Sequence, residues 1–469
     1  MGRASTRSGA SGEVWAPDLR RWGKPHYLAI VEAIAEDIRT GRLAVAERLP
    51  PQRVLALRLD LNFTTVARGY VEAQARGLVE SRVGQGTFVC DPARAARTTR
   101  RHGPVDFTMN LPPEPDDPRL IARMQAGVAA IADDLPNLLR YQGFGGTGED
   151  KEAGGRWLAK RGVAAGHDRL LLCPGAHSAL DAILGSVAQS GDVLCAEVLT
   201  YAGIRALAAH RGLRLVGLPM DGEGLEPDAF AAACTRLAPK ALYLNPTLQN
   251  PTTQTIRRGR REAIIAVARR YDVAIIEDDA YGFVCPNPPP SFHQLAPEIT
   301  YYVAGLAKCL GAGLRLAYLV APSARAALPL ASTLRAATVM ASPLTTALAT
   351  RWIGDGTGEA LVGFIRAESR ARQAIAARLL PAALVQADLN GFHLWMSLPE
   401  GWTRSAFASQ GRSAGLGVVA SDAFCTAGPA PEAVRICLGG LATRAEVGQA
   451  LEVLAHALGR SPTLASAYI

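Results

Sequence analysis

Apolar residues first fall into helical spacing at Tyr27–Thr40, where Ile30, Ile34 and Ile38 lie at i, i+4 and i+8 and Gly41 closes the run. A second helix is expected over Gln52–Leu59, with Val54, Leu55 and Leu59 apolar. A third is expected over Thr64–Ala75, with Val66, Tyr70 and Val71 as its core face and Gly77 as its cap. Two short strand-like runs follow, Leu78–Arg82 and Gly86–Cys90, and the glycines of Val83-Gly84-Gln85-Gly86 predict a tight hairpin. Residues 91–104 carry no apolar period and end in Gly103-Pro104, which reads as a linker; 14 residues span at most roughly 45 Å when extended. From Val105 onward the pattern becomes strand, helix, strand. Apolar strand runs at Leu170–Cys173, Asp192–Cys195, Leu213–Leu218, Ala241–Leu244, Asp272–Ile276 and Tyr301–Ala304 alternate with helical stretches. That order predicts an α/β domain on a mostly parallel sheet, with its site at the carboxyl ends of the strands.

Three short helices and a two-stranded wing make a winged helix-turn-helix, a unit that sets the start of its third helix on base edges while wing and second-helix arginines hold phosphates. Charge agrees with that placement. The chain of 469 residues carries +8, and residues 1–103 hold 17 basic and 10 acidic side chains against 33 and 32 in the remainder. Almost the whole excess therefore sits on the first hundred residues, as expected if that part touches a polyanion, although a solvated face or a basic tail would give the same bias. Residues 1–19 are expected to be a loose tail, 20–90 the DNA-binding domain, 91–104 the linker and 105–469 the large domain. No apolar run is long enough for a bilayer and the N-terminus has no signal-peptide core, so a cytoplasmic protein is expected. The eight cysteines contain no C-x-x-C pair, so neither a metal site nor a disulfide framework is expected.

The chemistry collects at strand ends. Of 50 basic residues only five are lysines, and one of them, Lys308, follows an apolar run in Tyr301–Val320. Such a lysine either snorkels to the surface or is a desolvated amine able to form a Schiff base with an aldehyde. Other strands deliver Glu277-Asp278-Asp279 with Tyr281, Asn245 with Asn250, and Ala176-His177 at a helix N-terminus suited to a phosphate. Amine, carboxylate, phenol, amide and anion site together are what pyridoxal phosphate requires.

Two resemblances organise these residues. Residues 25–90 resemble the DNA-binding domain of GntR-type bacterial regulators, through Leu49-Pro50-Pro51-Gln52-Arg53, Thr65-Val66 and the wing Gly84–Val89. The resemblance implies DNA contacts from Arg53, Thr64, Thr65, Arg68, Gln85 and Thr87, with Phe63 standing where many members carry an arginine that reads DNA. Residues 105–460 resemble fold-type I aminotransferases. By that resemblance Lys308 is the Schiff-base lysine, Arg315 meets the cofactor phosphate, and Asp278 and Tyr281 hold the ring nitrogen and ring oxygen. Asn250, in Asn250-Pro251-Thr252, joins Tyr281; Tyr201 stacks on the ring; Tyr141 reaches a neighbouring subunit's phosphate; Arg435 clamps a substrate carboxylate. The hydroxyl residues usual before the lysine are replaced by Gly305 and Ala307.

The two parts in one chain resemble the MocR subfamily of transcriptional regulators. The resemblance implies a homodimer that holds pyridoxal 5'-phosphate, binds double-stranded operator DNA and senses the cofactor or an amino acid or amine effector by exchange at Lys308. The rival reading is an active aminotransferase whose head is dispensable or autoregulatory; the charge asymmetry and the coherent wing favour regulation.

Overall fold

The computed structural model describes residues 15–23, 25–82, 86–90 and 105–459. Two compact units divide between Pro104 and Val105. The expected linker 91–104 and the wing residue Gln85 lie outside the described residues.

In the first unit α1 (His26–Arg39), α2 (Gln52–Leu59) and α3 (Phe63–Ala75) precede the antiparallel pair β1 (Val79–Arg82) and β2 (Gly86–Val89), in which Val79 faces Val89. The core joins Ile30, Val31 and Ile34 of α1 to Leu55, Val66, Tyr70, Ala73, Val79 and Val89. Two expected core residues are outside it. Val71 is 66 % exposed because the buried stripe of α3 runs 66, 70, 73, and residue 71 lies a quarter-turn beyond that stripe. Val54 is 38 % exposed, its place taken by Leu55 and Ala56. Residues 15–19, expected in the tail, are also held. Trp15 donates its indole N–H to Asp37 (2.8 Å), Trp15 and Leu19 pack on the core, and Asp18 caps a short turn at Leu19–Trp22. An indole that covers a core needs a polar partner for its N–H, and α1 supplies one.

The buried Tyr70 hydroxyl donates to the Pro50 carbonyl (2.8 Å), tying α3 to the turn before α2. Tyr70→Phe strands that carbonyl. It is expected to lower the stability of this unit by about 1 kcal/mol, read as faster hydrogen exchange across α1–α3 with the second unit unchanged.

The second unit is built on a seven-stranded sheet: β3 (Leu170–Cys173), β4 (Val193–Glu197), β5 (Arg214–Leu218), β8 (Ala241–Leu244), β9 (Ala274–Asp278), β10 (Thr300–Gly305) and β11 (Ala317–Val320). A two-residue hairpin, β6 (Met220–Asp221) and β7 (Gly224–Leu225), stands apart. The spatial order is β3-β11-β10-β9-β8-β4-β5, parallel from β10 to β5, with β11 antiparallel to both neighbours. Helices cover both faces over three large apolar clusters, which is why the strands read as continuous apolar runs. A smaller antiparallel sheet, β12 (Val385–Ala387), β13 (His393–Ser397), β14 (Val419–Ala420) and β15 (Ala433–Cys437), packs on the helix Arg444–Leu458. Among the described residues no helix is long and apolar enough to cross a membrane.

Candidate functional site

The carboxyl ends of β8, β9 and β10 are neighbours, and a cavity of about 360 Å³ opens above them. Nine expected residues line it: Lys308, Asp278, Tyr281, Asn250, Arg315, Tyr201, Ala176, His177 and Arg435.

Strand alternation sorts the three carboxylates at the end of β9. Glu277 and Asp279 point away from the cavity. Glu277 accepts from Arg261 (3.1 Å) and from the backbone of Phe292 and His293, while Asp279 accepts from Arg161 (2.7 Å) and Tyr302 (2.8 Å). Asp278 faces the cavity. Tyr243 on β8 donates to its Oδ2 (2.8 Å), and its buried Oδ1 has no partner among the described residues. Burial pushes this carboxyl up to about 6, the Tyr243 hydrogen bond pulling the other way.

Lys308 lies in the turn that joins β10 to β11. Burial pushes its amine down to about 8 from the ordinary 10.5, and its Nζ donates to the carbonyl of Asn110. Tyr281 is buried, which raises its phenol, and its oxygen accepts from the Asn110 side chain (2.8 Å). Asn250 is fixed through its own N–H, which donates to Asn245 (2.9 Å), and its Oδ1 accepts from Arg435 (2.9 Å). Arg435 comes from β15 of the small sheet. It is 6 % exposed, lies over the Phe424 ring at 5.0 Å, and also donates to the Thr108 carbonyl.

At the other end of the cavity Gly175 (φ 88°) turns β3 into the helix Ala176–Val187 without a side-chain cap, so the first N–H groups of that helix are open to an anion. A side chain at 175 would come within 3.3 Å of the Arg315 guanidinium, which has no ion-pair partner among the described residues. His177 Nε2 and the Tyr201 hydroxyl are 2.6 Å apart, and burial lowers the imidazole. A Cβ at Gly305 would press on Ala176 at 3.3 Å, a physical reason for a residue without a side chain where the resemblance leads one to expect a hydroxyl.

Tyr141 is outside the cavity and 84 % exposed, so the single chain does not bring it to the other nine. In the first unit Arg53, Thr64 and Arg68 are exposed, and Thr65 and Thr87 are partly so. Arg53 lies over the Phe63 ring (5.9 Å) and Arg68 over Tyr27 (3.9 Å). Asn62 caps α3 by accepting from the Thr64 N–H (3.0 Å).

Sequence reading missed Asn110, Thr108 and Tyr243 as site residues. Tyr243 was available from alternation, being two positions before Asn245 on the same strand face. The other two sit in a segment without periodicity, so nothing local marked them.

A helix-turn-helix head on an aminotransferase-type body, with a half-buried lysine and a carboxylate oxygen that has no partner among the described residues lining one cavity, defines a DNA-binding protein that carries a cofactor-binding fold. The chain belongs to the aminotransferase class I and II family, which it matches over residues 104–454, and residues 26–89 match the bacterial regulatory proteins of the gntR family. That pairing is the one found in MocR-type transcriptional regulators.

An uncharacterized HTH-type transcriptional regulator of Bacillus subtilis, YdeF, is 27 % identical over 95 % of this chain and 96 % of its own length. The probable rhizopine catabolism regulatory protein MocR of Rhizobium meliloti is 27 % identical over 64 % of this chain and 66 % of its own. Among solved structures an archaeal alanine:glyoxylate aminotransferase aligns with a TM-score of 0.70 at 22 % identity, covering 78 % of this chain and 93 % of its own. At that identity the likeness speaks for the fold alone. The aminotransferase class I and II fold is a pyridoxal-phosphate-dependent one, and gntR-type regulators bind DNA.

Proposed function

We propose that this regulator holds pyridoxal phosphate in the 360 Å³ cavity and changes its grip on operator DNA when an amino acid or amine enters the same cavity. The observation that carries this reading is Asp278 Oδ1, a buried carboxylate oxygen with no partner, in one cavity with a lysine whose amine is pushed down to about 8. A buried unpaired carboxylate is costly unless a ligand supplies the missing donor. A protonated pyridine nitrogen is such a donor. Bound there, pyridoxal phosphate supplies an electrophilic aldehyde on an electron-withdrawing ring.

The residues then divide the work. Lys308 presents the nucleophilic amine that an effector amine displaces. Asp278 keeps the ring nitrogen protonated. Tyr281 and the Nδ2 of Asn250 donate to the ring oxygen, and Tyr201 covers the ring. Arg315 and the N–H groups at Ala176 and His177 receive the phosphate. Arg435 takes the effector carboxylate with two parallel N–H groups. The head meets phosphates and bases through Arg53, Thr64, Thr65, Arg68, Gln85 and Thr87. The protein works in the cytoplasm as a homodimer, in which Tyr141 reaches the phosphate held by the other subunit.

A spectral titration tests the cavity and the ligand class together. The purified protein is expected to absorb as a lysine-bound pyridoxal protein, and its spectrum to change with amines that also change its footprint on its own upstream DNA. Keto-acid formation from amino acids without any footprint would favour the aminotransferase reading instead.

A further inference from the structure

The segment from Val105 to Glu114 crosses the mouth of the cavity as a strap. It is pinned at both ends to the small sheet and the turn that follows it. Phe107 is fully buried, donates its N–H to Gly417 (3.1 Å) and accepts from Cys437 (3.1 Å). At the other end Gly440 donates to Pro112 (3.0 Å) and Glu114 donates to Gly440 (3.2 Å). Between these clamps, Thr108 and Asn110 are held by the groups assigned to cofactor and effector. Arg435 donates to the Thr108 carbonyl, Lys308 donates to the Asn110 carbonyl, and the Asn110 side chain donates to Tyr281. Met109, at the centre, is 60 % exposed.

We propose that Thr108 and Asn110 are internal stand-ins for the ligands, so that cofactor and effector each release one attachment of the strap. The inference rests on the reading of Lys308 and Arg435 given above. When the Lys308 amine condenses with an aldehyde, the new carbon–nitrogen bond forms as the carbonyl oxygen leaves in water with two hydrogens from the nitrogen. The nitrogen then no longer serves Asn110. At Arg435 the competitor of the Thr108 carbonyl is a carboxylate, and a charged acceptor makes the stronger hydrogen bond. Cofactor thus releases the Asn110 carbonyl, while the Asn110 side chain stays on Tyr281, and an amino acid releases the Thr108 carbonyl. The strap continues N-terminally into residues 91–104 and the DNA-binding unit, so it is the first part of the body that the chain leading from the head meets.

The test is hydrogen–deuterium exchange of the full-length protein over the peptide 105–114. Two amides report on it: Thr108, bonded to Asp106 (2.8 Å), and Leu111, bonded to Met109 (2.8 Å). Loading with pyridoxal phosphate is expected to speed exchange of this peptide about fivefold, the size of one net hydrogen bond. Arg435→Leu without any ligand should produce a similar gain, and loading the variant should add to it. Cofactor absorbance is recorded on the same samples. Bound cofactor with a strap that is unchanged or better protected would overturn this inference alone. No bound cofactor would overturn the functional reading and the inference with it. If Arg435→Leu fails to fold, the cofactor arm decides by itself.

Discussion

Lys308→Ala is expected to abolish covalent, borohydride-fixable attachment of pyridoxal phosphate, while the wild-type protein takes up about one cofactor per chain as its single site implies. Among the described lysines, Lys308 is the one lining the cavity with Asp278. Its reactivity should carry a pH signature. Burial moves the amine down to about 8 from 10.5, and the neutral form is the nucleophile. Attachment therefore accelerates as pH rises from 6 and levels off above about 8, whereas an ordinary surface lysine would still be gaining at pH 10. At pH 7 the shift raises the neutral fraction on the order of a hundredfold over an exposed lysine. The measurement is the rate of absorbance change on mixing apoprotein with cofactor across pH, followed by reduction and peptide mass analysis. Equal labelling of Lys308→Ala would remove this lysine from the account.

Asp278→Asn should give two effects of opposite sign. The cofactor-free protein is expected to be more stable at pH 8 in the variant, and the cofactor complex is expected to be weaker. In the native protein the folded state holds the Asp278 proton to about 6, above the ordinary 3.8, because the group is buried and, to a lesser degree, because the Asp279 charge is close by. A folded-state value above the unfolded one means a contribution that is fully present below about pH 4 and lost as pH rises through 6. Two units correspond to about 3 kcal/mol of stability. Asparagine has no charge to bury, so the difference between wild type and variant should follow that window and flatten once cofactor is bound. Affinity moves the other way. Removing the charged partner of the ring nitrogen is expected to raise Kd roughly 30-fold or more, about 2 kcal/mol. Thermal melts with and without cofactor at pH 5 and pH 8 measure both. A variant that binds the cofactor as well as wild type would put the ring nitrogen elsewhere.

Much of this site was legible because its parts sit at ends of regular elements. Lys308 stood out against a background of arginine, and Asp278, Asn250 and Ala176-His177 each follow an apolar strand run that sequence periodicity detects. The choice of Asp278 over its acidic neighbours followed from the aminotransferase resemblance, and the structure supplies the physical reason: alternate residues of a strand face opposite sides. What was not legible was long-range. Thr108 and Asn110 meet Arg435 and Lys308 across 327 and 198 positions of chain. No local pattern encodes a strap whose carbonyl oxygens do the work. The head shows the same limit on a smaller scale. Val71 and Tyr70 are neighbours on α3, and the packing of α1, α2 and β1 against one stripe of that helix covers Tyr70 and leaves Val71 exposed. Trp15 reads as part of a polar tail, and its indole bonds Asp37, 22 positions away on α1.

The central claim is that ligand chemistry at Lys308 controls DNA binding. It is tested most directly by measuring the affinity of the cofactor-loaded protein for its own upstream DNA while titrating a panel of amino acids and amines, with Lys308→Ala alongside. The account predicts at least one amine that shifts the wild-type affinity together with the cofactor spectrum, and no such shift in Lys308→Ala. An effector-dependent change in DNA binding that survives intact in Lys308→Ala would contradict it.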